Sequence, residues 1–145
     1  MTEIEKLVEE CARGGIYTAS KTKHADKWKA YRSQGYPVIS TWIDEAGEGE
    51  SSCLADLWRR CIEESANAAA LVLYAEPDDV LKGAWTELGA ALACGVPVFA
   101  VGIEKFTVAN HVGITHCATI DEAMRLARSL PKAEGEDGST LPKAE

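Results

Sequence analysis

The segment Lys82-Gly83-Ala84-Trp85-Thr86-Glu87-Leu88-Gly89-Ala90-Ala91-Leu92-Ala93-Cys94-Gly95 holds the residue best placed to do chemistry. Glu87 is the last charged side chain before a run, Leu88 to Val101, that carries none. On a helix its neighbours one turn away include Gly83, Ala90 and Ala91, all small. A carboxylate walled by small residues leaves room for a ligand to approach it. Burial would push its pKa up, and a place in the early turns of a helix would push it down. The plain alternative is a solvated or salt-bridged surface glutamate.

Other polar residues fall at turns where a ligand could be met. Ser20, Lys21 and Thr22 combine hydroxyls, a cation and the backbone N–H groups of a helix start, which suits a phosphate; the competing reading is an ordinary N-cap. Trp42 could stack on a base and Asp44 hold a hydroxyl or a base edge, or they are a core lid and a turn residue. Asp56/Arg60 and Arg59/Glu63 stand four apart and read as a solvated ion-pair face. His24, Trp28 and Tyr31 share a helical face, as core or interface residues do. His111 and His116 lack partners at ligand spacing and read as structural or exposed.

These residues need elements to carry them. Ile4, Leu7, Val8 and Cys11 recur at helical spacing over Met1–Arg13, and Gly14-Gly15 stops that helix. Ile16–Ala19 reads as a strand, Lys21–Gln34 as a helix capped by Gly35, and Tyr36–Trp42 as a second strand beginning near Pro37. A Gly- and Glu-rich loop, 45–50, precedes a helix opened by Ser51, with Leu54, Leu57, Trp58, Cys61 and Ile62 as its buried stripe. The apolar runs Ala69–Ala75 and Val96–Val101 read as parallel strands covered on both faces. Between them lies the Glu87 helix, and Thr115–Thr119 and Asp121–Leu130 supply a last strand and helix.

Strands alternating with helices imply right-handed crossovers. The expected fold is α/β, a three-layer sandwich around a mostly parallel sheet of about five strands, flavodoxin- or Rossmann-like. Residues 1–130 form one domain, and 131–145 form a flexible polar tail in which Pro-Lys-Ala-Glu occurs twice. Such sheets bind ligands at the carboxyl ends of the strands, where strand order reverses.

The chain has 145 residues, 46% hydrophobic and 26% charged, enough for one domain with its own core. Its formal charge of −8 disfavours a nucleic-acid polymer but not a single nucleotide. No apolar run approaches the roughly 18 residues of a membrane span. The opening Met1–Lys6 is acidic and polar, unlike a secretory signal. The five cysteines, Cys11, Cys53, Cys61, Cys94 and Cys117, show no metal-ligand or paired spacing, so a reduced, cytoplasmic protein without metal or cofactor is expected. The apolar stretch from Trp85 to Val101 predicts a homodimer or higher homo-oligomer.

Gly83-Ala84-Trp85-Thr86-Glu87-Leu88-Gly89, followed by a small-residue helix and Gly95-Val96-Pro97-Val98-Phe99, resembles the glutamate motif of the nucleoside 2-deoxyribosyltransferase superfamily. Ile16-Tyr17-Thr18-Ala19-Ser20 is similar to that family's first strand and turn, and the likeness runs in element order from about Ile16 to Gly102. It implies cleavage or transfer at the N-glycosidic bond of a nucleoside or nucleotide, with Glu87 as nucleophile at the anomeric carbon. Tyr17, Ser20, Lys21, Trp42, Asp44 and Gly83 are the substrate-binding candidates. The family's aspartate six residues before the glutamate is Leu81 here, so Asp78, or its neighbour Asp79, is the candidate general acid. A second family aspartate could be replaced only by Glu63 or Asp56. The rival expectations are a module that binds a nucleotide or NAD derivative without turnover, and an NAD-cleaving hydrolase.

Overall fold

A computed structural model describes Thr2, residues 14–46 and residues 53–130. Apart from Thr2, the expected helix over 1–13 lies outside the described residues, as do 47–50 of the expected loop, Ser51 and the tail 131–145. The architecture is α/β. Strands β1 (Ile16–Ala19), β2 (Ala70–Tyr74), β3 (Val98–Val101) and β4 (Ile114–His116) form a four-stranded sheet in the order β1-β2-β3-β4. Every pairing is parallel. Helices α1 (Ala25–Ser33), α2 (Leu54–Ala66), α3 (Gly83–Ala93) and α4 (Ile120–Arg128) connect and cover it. β1 and β3 are buried at every position, as the apolar runs require. Gly35 and Gly95 close α1 and α3 with positive φ, +99° and +77°. No described helix is long and apolar enough to cross a membrane.

The second expected strand, Tyr36–Trp42, does not form. The chain runs beside β1 only through a single parallel bridge, Ile16 with Val38. Ile16 N–H donates to the Pro37 carbonyl and Ile39 N–H to the Ile16 carbonyl, at 2.8 and 2.9 Å. Two residues further along β1, side chains replace the missing strand. Thr18 N–H donates to Ser40 Oγ at 2.9 Å, and the Trp42 indole Nε1–H donates to the Thr18 carbonyl at 2.8 Å. With both edge groups satisfied this way, residues Thr41–Asp44 are free to turn into a 3-10 helix. Counting the Val38 bridge as a remnant strand, strand order reverses at β1. The crevice therefore opens at the carboxyl ends of β1 and β2.

Helix α2 also departs from expectation. Its buried residues are Cys61 and Ser65, whereas Leu54, Trp58 and Ile62 are 64, 39 and 41% exposed. Ser65 Oγ donates back to the Cys61 carbonyl at 2.8 Å, so a small polar residue can sit inside without an orphaned hydroxyl. The inward face turns toward these small side chains, and the larger apolar stripe is left outside. On α3 the inward face is Ala84, Glu87, Leu88 and Ala91, while Gly89 and Ala93 look outward.

Ser40→Ala would leave the buried Thr18 N–H without its acceptor. It would also remove the 2.6 Å contact between the Ser40 and Thr18 hydroxyls. A loss of about 1–3 kcal/mol in denaturant-measured stability is expected, with the slope of unfolding unchanged.

Candidate functional site

The residues at the crevice enclose a cavity of about 270 Å³. Ser20, Lys21 and Thr22 come from the turn after β1, Trp42 from the 3-10 helix beside it, and Leu57, Trp58 and Cys61 from α2. Val80, Leu81, Lys82 and Gly83 come from the loop after β2, and Ala84 and Glu87 from α3. Ser20, Lys21, Trp42, Gly83 and Glu87 are thus brought together from three separate stretches of chain.

Glu87 is the one carboxylate among these lining residues, and it is 6% exposed. Tyr17, buried in β1, donates its hydroxyl to Glu87 Oε2 at 2.7 Å. No Lys, Arg or His among the described residues lies within ion-pair distance of the carboxylate. Burial therefore dominates and pushes the Glu87 pKa up to about 7. Hydrogen bonds from Tyr17 and the Cys61 thiol pull it back, and the charge of Glu64 adds to the rise. Burial, together with the adjacent carboxylate, holds Tyr17 protonated far above its ordinary range. Burial likewise pushes the Cys61 thiol up to about 12, so it faces the cavity as a protonated group. Glu87 is thus poised near neutrality, able to act as a carboxylate or as an acid.

Gly83 fills a steric role. A Cβ there would stand 2.7 Å from Trp58 Cη2, so the absence of a side chain lets the indole close one wall. Ser20 neither caps a helix nor stands free. Its hydroxyl accepts from Trp28 Nε1–H and donates to the Lys21 carbonyl, both at 2.9 Å, while still reaching the cavity. The residue in the N-cap position of the following 3-10 turn is Lys21, with no side-chain cap bond.

Two candidates lie elsewhere. Asp78 is exposed on the turn after β2 and does not line the cavity. Its neighbour Asp79 is turned inward, where His24 Nε2 meets Asp79 Oδ2 at 2.9 Å. Asp44 forms a two-pronged pair with Arg32, at 3.0 and 2.8 Å. It lines a different hollow of about 440 Å³, with Arg32, Ser40, Thr41, Glu63 and Glu64. The charges in that hollow already have partners, since Glu64 accepts from both Thr41 N–H and Thr41 Oγ1–H. It therefore offers a ligand less than the cavity at Glu87 does.

The remaining readings sort readily. Asp56–Arg60 and Arg59–Glu63 are ion pairs at 2.9 and 3.2 Å on α2. His24 and Trp28 are core residues, 4 and 0% exposed. His111 and His116 hold turns, through Gly113 N–H and the Ala109 carbonyl. Sequence reading missed Cys61 as a lining residue because its spacing placed it in a generic apolar stripe. It also missed the grouping of His24, Glu76 and Asp79, one nitrogen and two oxygens within 4.8 Å of one another. That grouping would suit a cation, but the Lys23 ammonium, 3.1 Å from Asp79 Oδ1, already supplies the positive charge. No protein-family model matches the chain, and no curated protein does.

Folded Glu87 binds its proton more tightly than the unfolded chain does. Its contribution to stability is complete below about pH 4.5 and is lost as pH rises through about 7. Glu87→Gln keeps an acceptor for Tyr17 and removes that titration. At pH 8 the variant should be more stable than the parent by up to roughly 3 kcal/mol in urea unfolding, the difference vanishing near pH 4.5. Gly83→Ala should leave the melting temperature within a few degrees and shift the tryptophan emission, because the displaced atoms are the far end of the Trp58 side chain, a residue 39% exposed.

Proposed function

We propose that this chain cleaves or transfers at the N-glycosidic bond of a nucleoside or nucleotide, with Glu87 as nucleophile. The observation that carries the reading is a buried carboxylate, free of any cation among the described residues, at the foot of a cavity where the sheet's strand order reverses. Tyr17 anchors the carboxylate through Oε2, and the attack is assigned to the other oxygen, Oε1. In the ionised form Oε1 attacks C1′ of the sugar while the C1′–N bond to the base breaks. The positive charge that develops on the sugar is stabilised by the carboxylate and ends as a glycosyl ester. A second base, or water, then attacks C1′ and releases Glu87 with retention of configuration.

The departing base needs a proton. Asp78 and Asp79 are not on the lining; its proton donors are the ammonium groups of Lys21 and Lys82 and the Cys61 thiol. The indoles of Trp42 and Trp58 offer flat apolar walls to a base. Tyr17, Ser20 and Gly83 act here by holding other groups in place: the carboxylate, the Trp28 indole and the Trp58 ring.

A single carboxylate on the lining also fits a module that holds a nucleotide or NAD derivative without breaking it. The two readings part on one assay, in which the protein is incubated with nucleosides, deoxynucleoside monophosphates and NAD and free base is separated. Base or nicotinamide release that Glu87→Ala abolishes supports the enzyme. Ligand-dependent thermal stabilisation with no release supports the binder. Release unchanged in Glu87→Ala would end the nucleophile assignment.

Because only ionised Glu87 attacks, kcat/KM should rise with pH through about 7. Tyr17→Phe removes a hydrogen bond that lowers the Glu87 pKa, so it should move that limb to higher pH. We also place the protein in the cytoplasm as a homo-oligomer. Support for the oligomer is the exposed apolar set Leu54, Trp58, Ile62 and Val80, and sedimentation at micromolar concentration tests it.

A further inference from the structure

The two rims of the cavity belong to different strands. Ser20–Thr22 follows β1, and Val80–Gly83 follows β2. Among the described residues no backbone hydrogen bond joins the two rims. The joint is made by side chains just behind them. His24, at the end of the 3-10 turn Thr22–His24, reaches Asp79 Oδ2 at 2.9 Å, and Lys23 Nζ lies 3.1 Å from Asp79 Oδ1. Asp79 Oδ2 also accepts the Glu76 backbone N–H at 2.9 Å. The Asp79 side chain is 0% exposed and that of His24 is 5%, so bulk water does not compete for the pair. Burial alone would raise the Asp79 pKa, but Glu76 N–H, His24 and Lys23 together hold it down at about 2.

The surroundings brace this joint. Tyr74 sets its ring edge-on to His24, with centroids 5.0 Å apart, and donates its hydroxyl to Glu76 Oε2 at 2.7 Å. Behind the first rim, Trp28 fixes Ser20. Neither His24 nor Asp79 lines the cavity. A buried hydrogen bond to a carboxylate, placed between two rims and outside the cavity, acts on the site through position alone.

We propose that His24 and Asp79 form a latch between the rims and are positioning residues for the site at Glu87. The closed latch fixes the width of the cavity and keeps water away from Cys61 and Glu87. The inference rests on reading this cavity as the functional site, and not on which reaction occurs there.

The test needs no substrate. The full chain is treated under native conditions with iodoacetamide, and alkylation is followed cysteine by cysteine by mass spectrometry. Cys61 lines the cavity, Cys117 is buried outside it, and Cys94 is exposed. Asp79→Ala should speed alkylation of Cys61 roughly tenfold, the factor one charge-assisted hydrogen bond supplies, and leave Cys117 and Cys94 unchanged. Hydrogen exchange at amides 20–24 should quicken as well, although the substitution lies on the opposite rim. Asp79→Asn, which keeps an acceptor for Glu76 N–H, should fall between. If Asp79→Ala does not fold, His24→Ala, which removes the ring nitrogen facing Asp79, carries the same expectations for Cys61. Breaking the unrelated Arg32 pair with Asp44→Asn should alter neither readout. The latch is overturned if Cys61 and Cys117 accelerate together, since the pair then only supports the fold, or if exchange at 20–24 stays at the parent rate. Base release plays no part in these readouts, so failure of the glycosidic reading and failure of the latch are told apart.

Discussion

The hydrogen bond from the Tyr17 hydroxyl to the Glu87 carboxylate is the interaction on which the site depends. It joins the innermost part of β1 to the buried face of α3, in surroundings where neither group meets a counter-charge among the described residues. A carboxylate placed there without a donor would simply stay protonated. With the Tyr17 hydroxyl on Oε2 and the Cys61 thiol also donating, it is balanced between its two protonation states. Small neighbours on the helix, and a glycine that admits the Trp58 indole, keep the space around it open rather than filled.

The same economy governs the edge of the sheet. Thr18 follows Tyr17 and points its backbone groups away from β2, where a fifth strand would ordinarily meet them. Ser40 and Trp42 meet them instead, through side-chain atoms. The exchange has a consequence for the site. A fifth strand continuing through Trp42 would carry its indole onward along the edge, whereas the 3-10 turn folds it over the carboxyl end of β1 and into the cavity wall. The edge of the fold and one wall of the site are thus the same few atoms.

Much of this was legible in the sequence, and the losses have identifiable causes. Uninterrupted apolar runs marked β2 and β3, because a strand covered on both faces has no polar alternation to hide it. Glu87 stood out because its charge ends where an uncharged run begins. Tyr36–Trp42 misled because β-favourable residues say nothing about whether a side-chain hydroxyl or a backbone carbonyl will satisfy the neighbouring strand. The α2 stripe misled because size outranks burial in a periodicity reading, and Ser65 can be buried once its hydroxyl bonds to the turn before it. Asp44 is expected at the site because it ends the second expected strand, and Asp78 because it lies just upstream of the Glu87 helix. Their side chains instead go to Arg32 and to solvent, and only the fold decides that the inward-facing acid of the turn is Asp79.

Fold and site meet in the ionisation of one side chain. Selective ¹³C labelling of glutamate carboxyls, with Glu87→Gln to identify the resonance, reads it directly across a pH series in the folded protein. The account predicts a midpoint near 7 for Glu87. A midpoint near 4.5, the ordinary value for a solvated glutamate, would contradict it.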